Sequence, residues 1–334
     1  MTADQNCDLC GQHDFELLAT RDRHGGSLPT TVCRVCGLVA HATIPGDEEL
    51  QRYYAEVYRR EYHGEYQPSP YRVVREWHRG ARLLQRLRPS LAPRSRVLEI
   101  GSGIGCNVMN FALAGFDASG VEPGAGFSAF SREKMQAQVQ SCTLEDLPAS
   151  GDYDVVLLVH VLEHLPHPTR ALRQIAGLLR PQGKLYVEVP NFGLPHAAPG
   201  KQFHYAHIYN FTIQTLQMLT AKTGFRVERT ISRPHERVLG LLLTKTDAPR
   251  IAIDTTSYAH TLRAAGKYSR WSYYLRSRYL IERVGIGLTR LSERYMAQRQ
   301  MQGILDRCQR YAERREPKRR LENALSRIAQ LQHA

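Results

Sequence analysis

Four cysteines near the N-terminus have the spacing of a metal site. Cys7 and Cys10 form one Cys-x-x-Cys pair, and Cys33 and Cys36 form a second pair after 22 further residues. Two such pairs can close a tetrahedral four-thiolate site, for which structural Zn(II) is the typical ion. Because four thiolates leave no open coordination position, the pattern predicts a structural staple. A redox pair and unrelated buried cysteines are the alternatives.

A glycine-rich loop follows an apolar run that ends in an acid. The segment VLEIGSGIGC places Glu99 ahead of Gly101, Gly103 and Gly105, and position 106 is a cysteine where a dinucleotide fingerprint has its third glycine. Glycines let the backbone approach a ligand closely, and the missing third glycine argues against the pyrophosphate of a dinucleotide. Glu122, about 20 residues beyond the first glycine, can accept both hydroxyls of a ribose. The pattern therefore favours a nucleoside cofactor without a pyrophosphate.

A third group of reactive side chains lies in residues 195–212, which read PHAAPGKQFHYAHIYNFT. Three histidines and four aromatic residues stand here in a loop-like sequence, so core packing does not explain them. Histidine is suited to general-base work because its pKa lies near neutrality. We take His207 as the first candidate for a base and His204 as the second, with Tyr205 and Tyr209 lining a pocket.

The elements that position these residues follow from the pattern between residue 96 and about 246, where strand-like and helix-like segments alternate. The continuous apolar run YDVVLLVHV is typical of a central parallel strand that is buried on both faces. The runs FRVERTISR and RVLGLLLTKT are close enough for a hairpin. Five strand–helix units and a hairpin predict an α/β fold, with a doubly wound seven-stranded sheet that has an antiparallel edge.

Regions outside the predicted sheet complete the domain organisation. Val74, Trp77, Ala81 and Leu84 make a helical stripe that ends at Pro89. We predict a four-cysteine unit at 1–45, a helical linker or cap at 46–92, a main domain at 93–247 and a basic helical extension at 248–334.

The C-terminal extension is strongly basic. The chain of 334 residues has a formal net charge of +13, and residues 251–334 hold 17 Lys and Arg against 7 Asp and Glu. Such an excess favours anionic partners: nucleic acid, phosphorylated sugars or an anionic membrane surface. Two helical stripes in this extension would serve packing on the main domain, self-association into a homo-oligomer, or membrane contact. The stripes are Val284, Leu288, Leu291 and Tyr295, and Leu321, Leu325, Ile328 and Leu331.

The sequence also predicts a compartment. Seven cysteines are too few for a disulfide scaffold in a chain of this length, and the N-terminus MTADQNCDLCG has no secretion signal. The longest apolar stretch, at 155–162, is far shorter than the ~18 residues that a membrane span needs. We expect a cytoplasmic protein that is at most peripheral at the inner membrane.

The motifs together resemble the class I S-adenosylmethionine-dependent methyltransferases. LEIGSGIG, GVEP, VHVLEHLPHP and RPQGKLYVEVPN stand in that family's order, over about 96–246. The resemblance implies a Rossmann-like methyltransferase sheet. It further implies that Glu99, Gly101, Gly103 and Gly105 shape the site for the methionine end of the cofactor and that Glu122 holds its ribose. Thr143 and Leu144 would flank the adenine, and His160 would lie near the methyl group.

A four-cysteine unit ahead of this core is similar to the sugar methyltransferases that act on nucleotide-linked deoxysugars. In those C-methyltransferases the loop reads approximately Tyr-His-Glu-His, with the last histidine as base, whereas His204, Tyr205 and Ala206 precede the base position here. The missing acid favours an oxygen acceptor, on an anionic sugar-containing or glycan substrate.

Two other functions remain open from the sequence. An RNA methyltransferase could use the zinc unit and the Arg/Tyr-rich tail, WSYYLRSRYL, to bind phosphates and stack bases. Against this, no Asn-Pro-Pro-Tyr element follows the fourth strand. The other is a non-catalytic scaffold, which the intact cofactor motif disfavours.

Overall fold

The computed structural model describes residues 6–52, 68–194, 197–198, 200–247, 252–266, 273–274 and 296–315. Within these ranges the chain forms two β-sheets with helices packed on them. The strands in chain order are β1 (Phe15–Arg21), β2 (Ser27–Cys33), β3 (Val39–His41), β4 (Arg96–Ile100), β5 (Asp117–Val121), β6 (Val139–Gln140), β7 (Tyr153–Val159), β8 (Leu179–Pro190), β9 (Tyr209–Asn210), β10 (Phe225–Thr230) and β11 (Val238–Lys245).

Helices lie on both faces of the larger sheet, and the helix Ser257–Gly266 packs on the smaller sheet. They are α1 (Asp47–Arg52), α2 (Pro70–Leu87), α3 (Cys106–Leu113), α4 (Ala125–Glu133), α5 (Pro168–Leu178), α6 (Ile213–Lys222), α7 (Ser257–Gly266) and α8 (296–315), with single turns of 3₁₀ helix at Arg88–Ser90 and Leu162–His164.

The larger sheet has seven strands in the order β10-β11-β8-β7-β4-β5-β6. The strands from β8 to β6 are parallel, and β11 is antiparallel to both β8 and β10. The predicted fold class, a doubly wound sheet with an antiparallel edge hairpin, is therefore confirmed. In such a sheet the carboxyl ends of the parallel strands meet at one edge, which is where ligands bind.

Alternation along the central strands builds a core on each face. Val155 and Leu157 of β7 pack in the core that α2 and α3 cover, whereas Val156 and Leu158 pack in the core under α5 and α6. Successive side chains of a strand point to opposite faces, so a continuous apolar run is what a strand covered on both sides requires.

The cap helix α2 differs in detail from its predicted stripe. Ser69 caps its first turn by accepting the amide of Arg72, Pro70 occupies the first position, and the α-helix ends at Leu87, before Pro89. Val74 and Trp77 are buried as predicted. The fully buried face then continues through Gly80, Leu83 and Leu87, while Ala81 and Leu84 are partly buried at its border and Leu84 packs against the core.

Two strands also have bounds that the sequence did not predict. The segment RPQG belongs to β8, which starts at Leu179 and contains Gln182 at φ +60°. By contrast, β6 comprises only two residues. Both differences lie at strand ends, where neighbouring strands rather than local sequence set the length.

The smaller sheet joins the N-terminal cysteine segment to the predicted main domain. Its order is β1-β2-β3-β9, and all three pairings are antiparallel. Its fourth strand, β9, comes from the histidine-rich loop, and its register sets Val39 opposite Asn210 and Ala40 opposite Tyr209. The amide of His41 also donates to the carbonyl of Ile208, at 3.0 Å. The N-terminal sheet therefore fixes the path of the loop that carries the candidate bases.

Parts of the basic extension pack on both sheets. In α7, Thr261 donates to the carbonyl of Gly37 at 2.9 Å. In α8, Ile304 and Cys308 are buried in the core that α2 and α3 cover. The two predicted stripes, 284–295 and 321–331, lie outside the described residues. Across the described segments, no helix combines the length and apolar composition that crossing a membrane takes.

Two glycines of the cysteine turns provide a matched test of this packing. Gly11 and Gly37 have φ values of +76° and +75°, but a Cβ on Gly11 meets nothing within 4 Å, whereas one on Gly37 would lie 2.7 Å from the carbonyl carbon of Ser257. We expect Gly11→Ala to lower the free energy of unfolding by about 1 kcal/mol, the cost of the left-handed conformation. Gly37→Ala should cost clearly more, because α7 must also shift. Urea unfolding of both variants measures this, and equal losses would contradict the described docking of α7.

Candidate functional site

The glycine loop connects β4 to α3 with three glycines at positive φ. Gly101 has φ +67°, and a Cβ there would lie 2.5 Å from Cγ2 of Val161. Gly103 has φ +53°, and its missing Cβ points into space that holds no atom within 4 Å. The loop is thus packed closely at its start and open at its middle, where a ligand could approach the backbone.

Glu122, directly after β5, is tied to this loop. One carboxylate oxygen accepts the amide of Gly103 at 2.9 Å, and the other accepts the amide of Gly124 at 2.7 Å. Burial raises the pKa of Glu122, while these two amides oppose the rise. The sequence predicted that Glu122 and the glycines share a site, and the structure brings them into direct contact.

Glu99 lies beneath the loop and is only 3 % exposed. Its Oε1 accepts the side-chain amide of Asn107 at 2.6 Å, whereas its Oε2 is buried and has no hydrogen-bond partner among the described residues. Burial raises the pKa of Glu99 from 4.5 to about 8, although the bond from Asn107 opposes this. A buried carboxyl oxygen without a partner is costly, so this atom suits a donor supplied by a ligand.

His160 follows β7 and sits between two carboxyl groups. Its backbone has φ +54°, a conformation that residues other than glycine rarely adopt. The ring Nδ1 lies 3.2 Å from Oε1 of Glu163, and Nε2 lies 3.3 Å from Oε1 of Glu188. Burial alone would lower the pKa of His160, but hydrogen bonds to the two carboxylates outweigh it and raise the pKa. His160 therefore has the environment of an imidazolium held between two buried carboxylates.

The second of these carboxylates also receives groups from α2 and β8. Tyr186 donates to Oε2 of Glu188 at 2.5 Å, and the Arg79 guanidinium forms an ion pair with it. Burial opposes ionisation of Glu188, but bonds from His160 and the charge of Arg79 lower its pKa to about 2. A cavity of about 260 Å³ opens beside this network. Its polar lining comprises Arg79, Arg82, Arg86, Asn107, His160, Tyr186, Glu188 and Glu236.

The histidine-rich loop brings His204 and His207 against His164. The ring centroids of His204 and His207 are 3.8 Å apart, and those of His164 and His207 are 4.9 Å apart. His207 is half-buried, whereas His204 is only 6 % exposed. Nδ1 of His164 lies 2.6 Å from the carbonyl of Ala206, an acceptor, so this nitrogen carries the proton. Burial lowers the pKa of His164, so its ring is neutral and Nε2 is an acceptor.

Glu163 connects the two histidine groups. It is 1 % exposed, and its Oε1 lies 3.8 Å from Nε2 of His164. One ligand atom each from Glu163, His164 and His207 fall within 4.8 Å of one another, so a single cation could contact all three. Glu163 and Glu188 did not figure in the sequence prediction. The only local signal was an acid inside the apolar strand segment KLYVEVPN.

The other predicted site residues contact neighbouring parts of the fold. Thr143 donates its hydroxyl and amide to Asp146, both at 2.8 Å, and Leu144 is buried in the core, so their roles at an adenine stay predictions. Tyr209 is buried and donates to the carbonyl of Pro166 at 3.0 Å, while Tyr205 donates to Glu49. Neither tyrosine hydroxyl is turned to the histidine cluster by these contacts.

The four predicted metal-ligand cysteines converge between the two sheets. Sγ of Cys7 lies 3.5 Å from Sγ of Cys36, the same distance separates the sulfurs of Cys10 and Cys33, and all four lie within 4.8 Å of one another. None of the four forms a disulfide. Hydrogen bonding from Cys10 lowers the pKa of Cys33 far below its usual range. The spacing rule predicted this cluster correctly as a group of neighbours.

Asp8, inside the first cysteine turn, joins the cluster to the helices of the larger sheet. Its carboxylate accepts the amide of Thr169 at 2.9 Å, and Nζ of Lys222 donates to the carbonyls of Asp8 and Leu9, at 2.7 and 2.9 Å. Any ion held by the cysteines would therefore stiffen both α5 and α6 at their contact with the N-terminal unit.

Comparisons with known proteins agree with this geometry. Residues 71–230 match the family described as a methyltransferase domain. The chain is 32 % identical over 103 residues to a ubiquinone biosynthesis O-methyltransferase of Aeromonas salmonicida, covering 29 % of this chain and 43 % of that protein. It is 33 % identical over 113 residues to the protein of the same name from Marinobacter nauticus, covering 31 % and 47 %. The chain thus spans less than half the length of these curated relatives.

Solved structures are more distant. The 1,6-didemethyltoxoflavin-N1-methyltransferase of Burkholderia thailandensis is 20 % identical, with 63 % of this chain and 96 % of that chain covered and a TM-score of 0.44. A magnesium protoporphyrin IX methyltransferase from Synechocystis is 18 % identical, with 61 % of this chain and 99 % of that chain covered and a TM-score of 0.44.

The segment 71–230, which matches the methyltransferase domain family, contains the glycine loop, Glu122 and the histidine cluster.

The raised pKa of Glu99 predicts how stability depends on pH. Its folded pKa of about 8 exceeds the ordinary 4.5, so the stability that the protonated form contributes is present below pH 4.5 and lost as the pH rises to 8. Glu99→Gln keeps the acceptor for Asn107 without a charge. The free energy of unfolding of the variant should therefore rise relative to that of the native protein as the pH rises from 4.5 to 8. The expected rise is on the order of a few kcal/mol.

Urea unfolding at several pH values measures this difference. Glu133→Gln, at the exposed end of α4, is the control and should show no such gain. A constant difference between Glu99→Gln and the native protein across this pH range would contradict the raised pKa.

Proposed function

We propose that the protein is an S-adenosylmethionine-dependent methyltransferase that methylates an oxygen of a sugar-containing acceptor. The observation that carries the proposal is the glycine loop at the carboxyl edge of the sheet, held by Glu122 and open at Gly103. The match of residues 71–230 to a methyltransferase domain supports the same reaction class.

The residues around the loop fit this cofactor. Glu122, already oriented by two backbone amides, would accept the ribose hydroxyls, and glycines allow close approach of a group that carries no phosphate. The carboxyl group of Glu99, whose Oε2 has no partner among the described residues, would meet the methionine end, and a cationic group there would favour its ionised, accepting form. When bound, S-adenosylmethionine supplies an electrophilic methyl group. His160, at the end of β7, would border the methyl group, where its two carboxylate partners fix its ring.

A loop histidine would serve as the base. A hydroxyl acceptor must lose its proton as the oxygen forms its new bond to the methyl carbon. His207 is half-buried and borders His164, so it can meet both solvent and acceptor, whereas His204 is almost completely buried. The fixed path of the loop, set by the β3–β9 pairing, would align acceptor and base, which is the main requirement of an in-line displacement.

The acceptor class rests on two supports. The curated relatives are named O-methyltransferases, which favours an oxygen acceptor. The four-cysteine unit resembles that of sugar methyltransferases, and the loop lacks the acid that the C-methylating members carry before the base. A sugar hydroxyl is therefore the acceptor we favour, and RNA is the alternative that the basic tail offers.

We infer that the cysteine cluster holds structural Zn(II). Zinc–sulfur bonds of about 2.3 Å in a tetrahedron place the sulfurs about 3.8 Å apart, and the observed separations of 3.5 Å and within 4.8 Å fit that arrangement. Cys7, Cys33 and Cys36 are buried, and all ligand positions are protein thiols. Such a site stabilises the fold and takes no part in methyl transfer.

Zinc content tests this inference. The purified full chain should contain one zinc ion by elemental analysis, and Cys36→Ser should lose it and unfold at a lower temperature, because metal binding adds to the folding free energy. Cys142→Ser, outside the cluster, should retain the metal. Native protein that contains no zinc, and whose unfolding temperature does not change with added zinc or a chelator, would sink the inference.

Methyl transfer tests the proposed function itself. Purified protein is given methyl-labelled S-adenosylmethionine with nucleotide-sugar pools, lipid-linked glycan extracts or total RNA. We expect label in a sugar fraction, and His207→Ala should lower the rate about 10²- to 10⁴-fold, the usual contribution of a general base. His78→Ala, on the exposed side of α2, is the control and should retain activity. Label confined to RNA, or full activity in His207→Ala, would contradict the acceptor or the base respectively.

A further inference from the structure

A second cavity, of about 440 Å³, opens on the other side of β8. Its lining comes from the segment after β8, the start of α6, the turn between β10 and β11, and α7. We call it the hairpin cavity. Its volume lies in the range of small-molecule sites, roughly 300–1,000 Å³.

The charged side chains of the hairpin cavity are all basic. Arg233 comes from the hairpin turn, His260 and Arg263 come from α7, and among the described residues no Asp or Glu lines the cavity. Within the described part of the chain neither arginine forms an ion pair. Arg263 donates Nε to the carbonyl of Ala259 in its own helix, at 3.3 Å. Arginine side chains that meet no carboxylate present an electropositive surface to a ligand.

The nearest acids are engaged elsewhere. Both carboxylate oxygens of Glu236 are bound by Arg86, at 3.1 and 2.6 Å, and one also accepts the backbone amide of Arg233. Asp254 lies near His260, but its carboxylate accepts the amide and hydroxyl of Thr256, at 2.9 and 2.7 Å. Arg233 still acts electrostatically on Glu236, and His260 on Asp254. Neither carboxylate forms an ion pair with a cavity side chain among the described residues, and Arg263 has no acidic partner there.

The rest of the lining suits an anion attached to a larger molecule. Gln214, Thr230 and Ser232 add neutral polar groups, while Leu194, Ile213 and Leu239 form an apolar wall. A cavity of this composition can hold a charged group at one end and a ring or sugar face at the other.

The hairpin cavity lies near the proposed methyl-transfer site. Leu239 lies opposite Val189 on β8, and β8 lies next to β7, which His160 follows. Two strand spacings of about 4.8 Å place the cavity about 10 Å from the end of β7. Phe192 donates its amide to the carbonyl of Phe211 at 2.9 Å, so the cavity wall is also fastened to the end of the histidine loop.

Residues outside the matched domain build the charged part. The family match ends at residue 230, whereas Arg233, His260 and Arg263 all follow it. Two of these three basic residues, His260 and Arg263, belong to the predicted extension, whereas Arg233 belongs to the hairpin turn of the main domain.

We propose that the hairpin cavity binds a phosphate or diphosphate group of the acceptor, while the acceptor's hydroxyl lies at the histidine cluster. The acceptor assignment rests on the proposed function, whereas anion binding by the cavity does not. The two arginines can donate several charge-assisted hydrogen bonds to a diphosphate, and a ring N–H of His260 can donate another.

Calorimetric titration of the full chain with inorganic pyrophosphate tests the site. Arg233→Gln and Arg263→Gln should each weaken binding at least about tenfold, because each removes charge-assisted hydrogen bonds. Arg132→Gln, which removes an exposed arginine of α4 far from the cavity, should leave the affinity unchanged. No binding to the native chain, or equal weakening in all three variants, would overturn the proposal.

Kinetics separate this result from the proposed function. With an acceptor offered in phosphorylated and dephosphorylated form, Arg263→Gln should raise the KM of the phosphorylated form about tenfold and leave its kcat near the native value. Equal KM values for both forms in the native chain would overturn the cavity's role in acceptor binding. Pyrophosphate binding that is lost in both site variants supports the anion site even where methyl transfer to sugars fails.

Discussion

The pairing of β3 with β9 is the interaction on which the candidate site depends. Four chain positions, Val39 and Ala40 against Tyr209 and Asn210, carry the histidine-rich loop as the last strand of the N-terminal sheet. That sheet is itself anchored at the cysteine turns by Thr169, Lys222 and Thr261. A loop that carries two histidines whose rings are in contact would otherwise have many conformations. Pairing with β3 reduces the conformational entropy of this loop. We attribute the stability of the N-terminal sheet to a zinc ion.

The ionisable groups along the carboxyl edge of the sheet have different charge states in different places. Beneath the glycine loop, Glu99 is pushed towards its protonated form by burial. Two strands away, on β8, Glu188 stays ionised because Arg79 and His160 surround it. Beyond β8 the hairpin cavity is basic. Cofactor, base and anion subsite would therefore lie along one edge in the order in which an elongated acceptor would meet them.

The sequence predicted the local parts of this arrangement and missed the long-range ones. The strand RVLEI, the glycine turn and the hairpin each follow from neighbouring residues, and the cysteine spacing predicted the thiol cluster. The Arg79–Glu188 ion pair joins residues 109 apart, and β9 pairs with a strand about 170 positions earlier. No local periodicity encodes such pairings. The short β6 and the fully buried face of α2 were likewise set by neighbours across the fold.

Binding of S-adenosylmethionine tests the central claim most directly. The account predicts that the native chain binds one equivalent in calorimetric titration and that Glu122→Gln weakens this at least about tenfold, since an amide cannot accept two ribose hydroxyls as a carboxylate does. Glu133→Gln should bind like the native chain. Absence of binding to the native chain, or native affinity in Glu122→Gln, would contradict the assignment of the glycine loop and Glu122 as the cofactor site.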